Sequence, residues 1–326
     1  MILSIHHFEF CVARENRIKK LLFILAKATF GSLVLVFLFS IVDLKGVEES
    51  LSKTNPIPFG VVCLLVVLSP LITAYRLKAF LEVVDFFPTF FNTLRATLCG
   101  FALNVILPAR GGDLAKVAFL CGENHKQWSK LSGAVILERS FDLLALGLIG
   151  LLASLITSNY KGTPLSGLVV FTCIFGMVFF SKFHRLPILG PKLKNFNEAF
   201  RLIIPRRRKV FRGFLVSILC WTNNCMIIAL LLQSIDRTFH IWLAYSAAPP
   251  SIFVGILPIS LWGIGTRDAA LAYFLDGCTL IENIMAAGIL YTALVYWLLG
   301  LIGVPALLYS RKSREVIQSN IVQENH

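Results

Sequence analysis

The chain has 326 residues, of which 56% are hydrophobic and only 15% are charged, against about 25% in soluble domains. Its mean hydropathy of +0.76 excludes an ordinary water-soluble enzyme. The net charge of +13 would suggest nucleic acid binding in a soluble protein. No aromatic-interleaved binding module accompanies the basic residues, so we expect no nucleic acid partner. The composition predicts an all-α polytopic membrane protein, built from apolar runs of about 20 residues.

The first two apolar runs predict membrane-spanning helices. Residues 21–42 form a run of 22 residues, about 33 Å as a helix. This run is too long for a signal-peptide core, and no small-residue cleavage site follows it. Residues 59–75 form the second run, which ends at Arg76 and Lys78. We expect these two cations to mark the same side of the membrane as the N-terminal segment 1–20.

Four further runs, 131–157, 165–181, 214–233 and 283–309, bring the prediction to about six full spans. Between the fourth and fifth spans lies a polybasic loop, 182–212, with ten basic residues and one acidic residue. The positive-inside rule places this loop, the segment 1–20 and the tail 311–326 in the cytoplasm. We therefore expect the loop to face anionic lipid headgroups.

Two short apolar segments, 93–107 and 241–257, are each followed by proline and glycine. Such segments predict re-entrant helical hairpins, whose freed backbone groups must face protein or a water-filled cavity. The candidate hinge residues are Pro108, Gly111 and Gly112 in the first hairpin and Pro258, Gly263 and Gly265 in the second.

The predicted elements repeat in the order span, span, hairpin, span. The single transmembrane domain 21–310 would then consist of two halves, 21–157 and 165–309, related as an inverted repeat. Both hairpins carry Ile-Leu-Pro ahead of a helix that begins with aspartate, although chance similarity between apolar segments is the alternative. An inverted repeat with broken helices is a transporter architecture, which places a substrate site near the membrane midplane.

Charged and amide side chains within apolar runs are the candidate substrate-binding residues, because a charge in the bilayer costs several kcal/mol unless it is paired or wetted. They are Arg110 and Asp113 at the first hairpin, Glu138, Arg139 and Asp142 in the third span, Asn223 and Asn224 in the fifth, and Arg267 and Asp268 at the second hairpin.

Each of these groups has two interpretations. The third-span group either is a self-neutralising structural ion cluster, with Arg139 and Asp142 paired across one helical turn, or lines a polar cavity that positions a headgroup or couples to protons. Arg110 and Arg267, beside glycines, either bind an anion or follow a helix C-cap with their side chains snorkelling. The two asparagines either hydrogen-bond another helix or line the transport path.

The eight cysteines never form a CxxC pattern, and the six histidines are mostly scattered. We therefore expect no disulfide framework, no metal site and no cofactor. We also identify no catalytic residue, because the sequence offers no activated nucleophile. It has no phosphate-binding loop of the GxxxxGK[ST] type, which argues against direct use of ATP.

Three blocks carry a family resemblance: PARGGDLAK at 108–116, ERSFD at 138–142 and PISLWGIGTRDAA at 258–270. Together they resemble the membrane-domain family of lysylphosphatidylglycerol synthases and its stand-alone flippase-like relatives, over roughly 21–311. The resemblance implies a membrane domain that moves a lipid across the bilayer. Because 15 residues follow Arg311, we expect no soluble synthase domain in this chain.

The leading expectation is a lipid flippase of the bacterial inner membrane, acting on a phospholipid or a polyprenyl-linked lipid and more a transporter than an enzyme. Arg110 and Arg267 would bind the lipid phosphate, and the third-span cluster would shape a groove for the headgroup. The alternatives are a membrane subunit of an aminoacyl or glycosyl transferase, working with a separate soluble transferase, or a membrane scaffold. Small-residue spacings in the last span also permit a homodimer.

Overall fold

The computed structural model describes residues 44–106, 112–121, 127–182, 202–257, 263 and 265–309, and all regular structure in these ranges is helical. This confirms the predicted all-helical class. The helices are α1 (Leu44–Ser52), α2 (Pro56–Val83), α3 (Phe90–Ile106), α4 (Gly112–Cys121), α5 (Trp128–Thr157), α6 (Thr163–Lys182), α7 (Arg207–Ile235), α8 (Ile241–Ile256), α9 (Thr266–Phe274) and α10 (Ile281–Tyr309). The predicted span 21–42, most of the polybasic loop and the tail 311–326 lie outside the described ranges.

Four helices, α2, α5, α7 and α10, are long and apolar enough to cross a membrane. They correspond to four of the predicted spans. The helices α6 and α8 are apolar but shorter. The two pairs α3–α4 and α8–α9 are short helices that follow α2 and α7 respectively, at the places where the sequence predicts hairpins.

The helix α2 is longer than its predicted span. Its first turn is capped by the side chain of Asn55, which accepts a hydrogen bond from the backbone N–H of Ile57 at 3.1 Å, with Pro56 as the first helical residue. The helix then continues to Val83, so the predicted end at Tyr75 is wrong. The cation that suggested this end, Arg76, lies inside the helix and is 4% exposed, because carboxylates on another helix pair with it.

Tight contacts between helices occur where one partner has glycine. In α10, a Cβ added at Gly303 would lie 2.2 Å from the carbonyl oxygen of Leu98 in α3, and one added at Gly300 would lie 2.3 Å from a methyl of Val105. The same holds for the prolines of α8, since a Cβ at Gly162 would lie 2.5 Å from Pro250. These glycines let α3 approach α10 closely and let α8 approach the turn before α6.

One end of the α2–α7 packing is held by ion pairs outside the apolar segments. Arg206 donates hydrogen bonds to both carboxylate oxygens of Asp85 and, at 2.8 Å, to the backbone oxygen of Val83. Arg212 pairs with Glu82 in the same region. The hydrogen bonds from Arg206 hold the pKa of Asp85 below its ordinary value of 3.8.

This lowered pKa predicts a pH-dependent contribution to stability. A carboxylate whose pKa is lower in the folded state stabilises the fold above its ordinary value of 3.8 and loses that contribution as the pH falls through the folded-state pKa. We expect Asp85→Asn to lower the unfolding temperature slightly at pH 7, because the pair is solvent-exposed. The difference in unfolding temperature between this variant and the wild type should shrink below pH 3.8. We expect the same pH dependence for Arg206→Gln. Thermal unfolding in detergent, measured from pH 7 to below pH 3.8, tests this prediction. A difference in unfolding temperature that does not change with pH would contradict it.

Candidate functional site

A cavity of about 170 Å³ lies between the helices, lined by side chains from α2, α3, α4, α5, α7, α8, α9 and α10. It lies near the middle of the long helices, since its lining includes Trp221 at the centre of α7 and Val295 at the centre of α10. Both short-helix pairs therefore contribute to one site, together with all four long helices.

The cation Arg76 of α2 is the centre of a buried ion network. Its Nε donates to Oε1 of Glu138 at 2.8 Å, and its Nη1 lies 2.9 Å from Oδ1 of Asp142. The two carboxylates are 0% and 2% exposed, one helical turn apart on α5. Burying such charges is tolerated only because each has an ionic partner at hydrogen-bonding distance.

The network continues through Arg139 to the first short-helix pair. Its Nη1 donates to Asp142 at 2.9 Å, which is the pairing across one turn that the sequence suggested. Its Nη2 lies 2.9 Å from Oδ1 of Asp113 on α4, and the Nζ of Lys116 lies 2.7 Å from the same oxygen. Among the described residues, this network therefore links three cations with three carboxylates.

The members of the network differ in what they face. Arg76, Arg139, Asp113 and Lys116 line the cavity. Glu138 and Asp142 are buried behind that wall and do not line the cavity. The structure thus places the two α5 carboxylates as partners of the cavity's cations.

Arg267 of α9 also lines the cavity and is held by a second set of partners. Its Nη2 lies 2.5 Å from Oδ1 of Asp268 and donates to the carbonyl oxygen of Gly288 and to Oγ1 of Thr292, each at 3.1 Å. Its guanidinium lies 4.4 Å from the centre of the Tyr291 ring. The remaining nitrogen, Nη1, has no hydrogen-bond partner in the part of the chain that the structure describes, although the side chain is almost completely buried.

The beginning of α9 fixes this arginine in place. Gly265 precedes the helix at φ 81°, in the left-handed region that favours glycine, and its N–H donates to Oδ2 of Asp268 at 3.2 Å. Asp268 therefore binds the helix start and the arginine together. A Cβ at Gly288 of α10 would lie 2.6 Å from Oδ1 of Asp268, so glycine is needed there for this approach.

Two predicted hinge glycines occupy crowded positions, one in each short-helix pair. A Cβ at Gly112 would lie 2.3 Å from the carbonyl oxygen of Gly100 in α3. One at Gly263, whose φ is 75°, would lie 2.9 Å from the carbonyl oxygen of Gly255 in α8. The glycine pairs thus let the second short helix lie directly against the first.

The two candidate asparagines line the cavity and also bond between helices. Nδ2 of Asn223 donates to Oγ of Ser69 on α2 at 2.9 Å, and Oδ1 of Asn224 accepts from the hydroxyl of Tyr291 on α10 at 2.8 Å. Directly after Tyr291, residues Thr292–Leu298 are wound as a π-helix, and the cavity-lining Tyr296 lies in this stretch. Wide turns of this kind are frequent at functional sites.

Several cavity residues were missed by the sequence analysis. Two of them could have been found from the sequence. Arg76 is a cation at the end of an apolar run, and Lys116 stands three residues after Asp113, at the spacing of an ion pair within a helix. The aromatic residues Trp221, Tyr291 and Tyr296 gave no signal, because aromatic side chains in apolar runs are ordinary. The candidates Arg110, Pro108, Gly111 and Pro258 lie outside the described residues.

The family model for the lysylphosphatidylglycerol synthase transmembrane region matches residues 24–303. These residues include every side chain that lines the cavity. No curated protein matches the sequence.

Proposed function

Because the chain belongs to the lysylphosphatidylglycerol synthase transmembrane-region family, we propose that it moves a phospholipid or a polyprenyl-linked lipid across the bacterial inner membrane. The family match and the four long apolar helices support an integral, multi-pass membrane protein of a lipid-related family. The observation that carries the proposal is the central cavity, in which Arg267 has a buried nitrogen without a partner among the described residues.

This nitrogen supports a role for Arg267 in binding a lipid phosphate. A buried guanidinium N–H without an acceptor is costly, and a phosphate oxygen would satisfy it with a charge-assisted hydrogen bond. The other contacts of Arg267 to Asp268, Gly288 and Thr292 fix its orientation before a ligand arrives. Arg110 would add a second cation at the first hairpin, and the acyl chains would stay in the surrounding lipid.

The order of helices supports an inverted repeat with two re-entrant hairpins. A long helix, two short helices and a long helix occur twice, as α2–α5 and as α7–α10. The short pairs share the glycine-to-carbonyl contact, and each brings a cation to the cavity, Lys116 from α4 and Arg267 from α9. Paired broken helices that meet near the middle of the membrane are a transporter arrangement.

The charge distribution supports an orientation with both termini in the cytoplasm. The basic residues 206–209 and Arg212 lie at the beginning of α7, next to the end of α2. Together with the rest of the loop 182–212, they would face the cytoplasm and attract anionic headgroups.

The proposal is tested by following lipid movement in proteoliposomes that contain the purified protein and a panel of labelled lipids. Arg267→Gln combined with Asp268→Asn removes both charges of the buried pair, so that no charge is left uncompensated. We expect the rate of lipid movement to fall by about 10- to 100-fold, which corresponds to the loss of one hydrogen bond to a charged group.

The matched control is Arg237→Gln, which removes an exposed arginine outside the central cavity and should leave the rate unchanged. Wild-type protein that is folded but moves no lipid in the panel would contradict the proposal. Undiminished movement by the double variant would contradict the role of Arg267.

A further inference from the structure

The carboxylate of Asp113 is bound in the way that a phosphate oxygen would be bound. One of its oxygens, Oδ1, lies 2.7 Å from Nζ of Lys116 and 2.9 Å from Nη2 of Arg139. Both cations line the cavity, as does Asp113 itself. Two cations that converge on one oxygen at such distances form charge-assisted hydrogen bonds typical of a phosphate site.

The same two cations have capacity for another acceptor. Nε of Arg139 is buried and has no hydrogen-bond partner among the residues that the structure describes. Lys116 is 1% exposed, so its ammonium group needs an anion at all times. A phosphate has more acceptor oxygens than a carboxylate and could bind Nε as well as the two groups that now bind Asp113.

We propose that Asp113 occupies a second phosphate subsite of the cavity as an internal substitute for the ligand, and that the phosphate of the transported lipid displaces it. This inference rests on the proposed function and adds a subsite to it. The displaced carboxylate turns toward the cavity, while Lys116 and Arg139 hold the phosphate. When Asp113 returns, it competes for the same cations and releases the lipid, which a transporter must not bind too tightly.

The other buried carboxylates near the cavity do not suit this role. Glu138 and Asp142 lie behind the cavity wall and are bound to Arg76. Asp268 is bound to Arg267 and also to the backbone at the start of α9. Within the described ranges, Asp113 is therefore the carboxylate that lines the cavity and is bound by two cations there.

The first experiment measures the binding of dihexanoylphosphatidylglycerol to purified protein in a maltoside detergent by calorimetry. We expect Asp113→Asn to bind this lipid about tenfold more tightly than the wild type, because the competing carboxylate is gone. The double variant Asp113→Asn, Lys116→Met also removes one cation of the subsite. It should therefore not show the increased affinity for this lipid. A purely structural role for Asp113 would instead give unchanged or weaker binding in the single variant, which would overturn the proposal.

A parallel titration with glycerol 3-phosphate distinguishes a lipid phosphate from a free phosphate ester. We expect the gain in affinity with the short-chain phospholipid, whose acyl chains stay in the detergent that replaces the surrounding lipid. A gain confined to glycerol 3-phosphate would overturn the assignment to lipid.

A second measurement uses the wild type and does not depend on the folding of a variant. Carboxylates are labelled with a water-soluble carbodiimide and glycine ethyl ester and are located by mass spectrometry. Addition of dihexanoylphosphatidylglycerol should increase the labelling of Asp113, whereas Glu138 and Asp142 should stay unreactive. Unchanged or reduced labelling of Asp113 would overturn the displacement.

These measurements are independent of lipid movement. If lipid moves in proteoliposomes but Asp113→Asn binds no more tightly, this inference fails and the proposed function stands. If no lipid moves but binding tightens as expected, the subsite stands and the proposed function fails.

Discussion

Replacing Arg76 with methionine should destabilise the protein by about 3–5 kcal/mol, the usual cost of removing one partner from a buried ion pair. The substitution leaves Glu138 and Asp142 almost completely buried, with Arg139 as the only cation still bound to Asp142 among the described residues. The side chain of methionine fills much of the same space, so the loss is chiefly electrostatic. Unfolding in detergent micelles, followed by circular dichroism, measures the effect.

Two further variants separate the charge effect from a general effect on α2. Arg76→Met combined with Glu138→Gln removes one charge of each sign and should recover part of the lost stability. Lys78→Met, two residues later on the same helix, removes a more exposed cation and should change the stability little. Equal losses for Arg76→Met and Lys78→Met would contradict the importance of the buried network.

Replacing Gly112 with alanine should separate α4 from α3. The added Cβ would lie 2.3 Å from the carbonyl oxygen of Gly100 and 2.7 Å from Oδ1 of Asn104. Because one of these atoms belongs to the backbone, rotation of a side chain cannot relieve the contact. We expect a loss of about 1–3 kcal/mol, as for other overpacked sites, and reduced lipid movement, since α4 carries Asp113 and Lys116 into the cavity.

The control for this change is Gly176→Ala in α6, where an added Cβ has no neighbour within 4 Å. Alanine also favours the helical conformation over glycine, so this variant should lose no stability. Unfolding temperatures and lipid movement are measured for both variants in parallel. If Gly112→Ala behaved like Gly176→Ala, the close contact between α3 and α4 would not be required.

The helical class, the four long helices and the positions of the short pairs were predictable, because each depends on local apolar runs and on proline and glycine. The pairing of Arg139 with Asp142 was also predictable, since both lie on one helix three residues apart. The match to the family over residues 24–303 confirms the resemblance that the three sequence blocks carry.

The contacts between distant segments were not predictable from one sequence. Arg76 looked like the end of a span, because a cation after an apolar run usually faces water. Its two carboxylate partners lie more than 60 residues away on α5, and nothing in the local pattern around Arg76 indicates them. The unpartnered nitrogen of Arg267 likewise depends on how Gly288 and Thr292 of α10 lie against α9.

The π-helical stretch of α10, Thr292–Leu298, determines which way the glycines on either side of it face. Before this stretch in the sequence, Gly288 leaves room for the side chain of Asp268 of α9. After it, Gly300 and Gly303 lie against α3. If the same residues were wound as an ordinary α-helix, the glycines that follow would turn by about 100° around the helix axis, because a π-helical turn holds about one more residue than an α-helical turn. Gly300 and Gly303 would then no longer face α3, even though the sequence was unchanged. The winding of this stretch, as much as the identity of its residues, is what keeps both short-helix pairs in contact with α10.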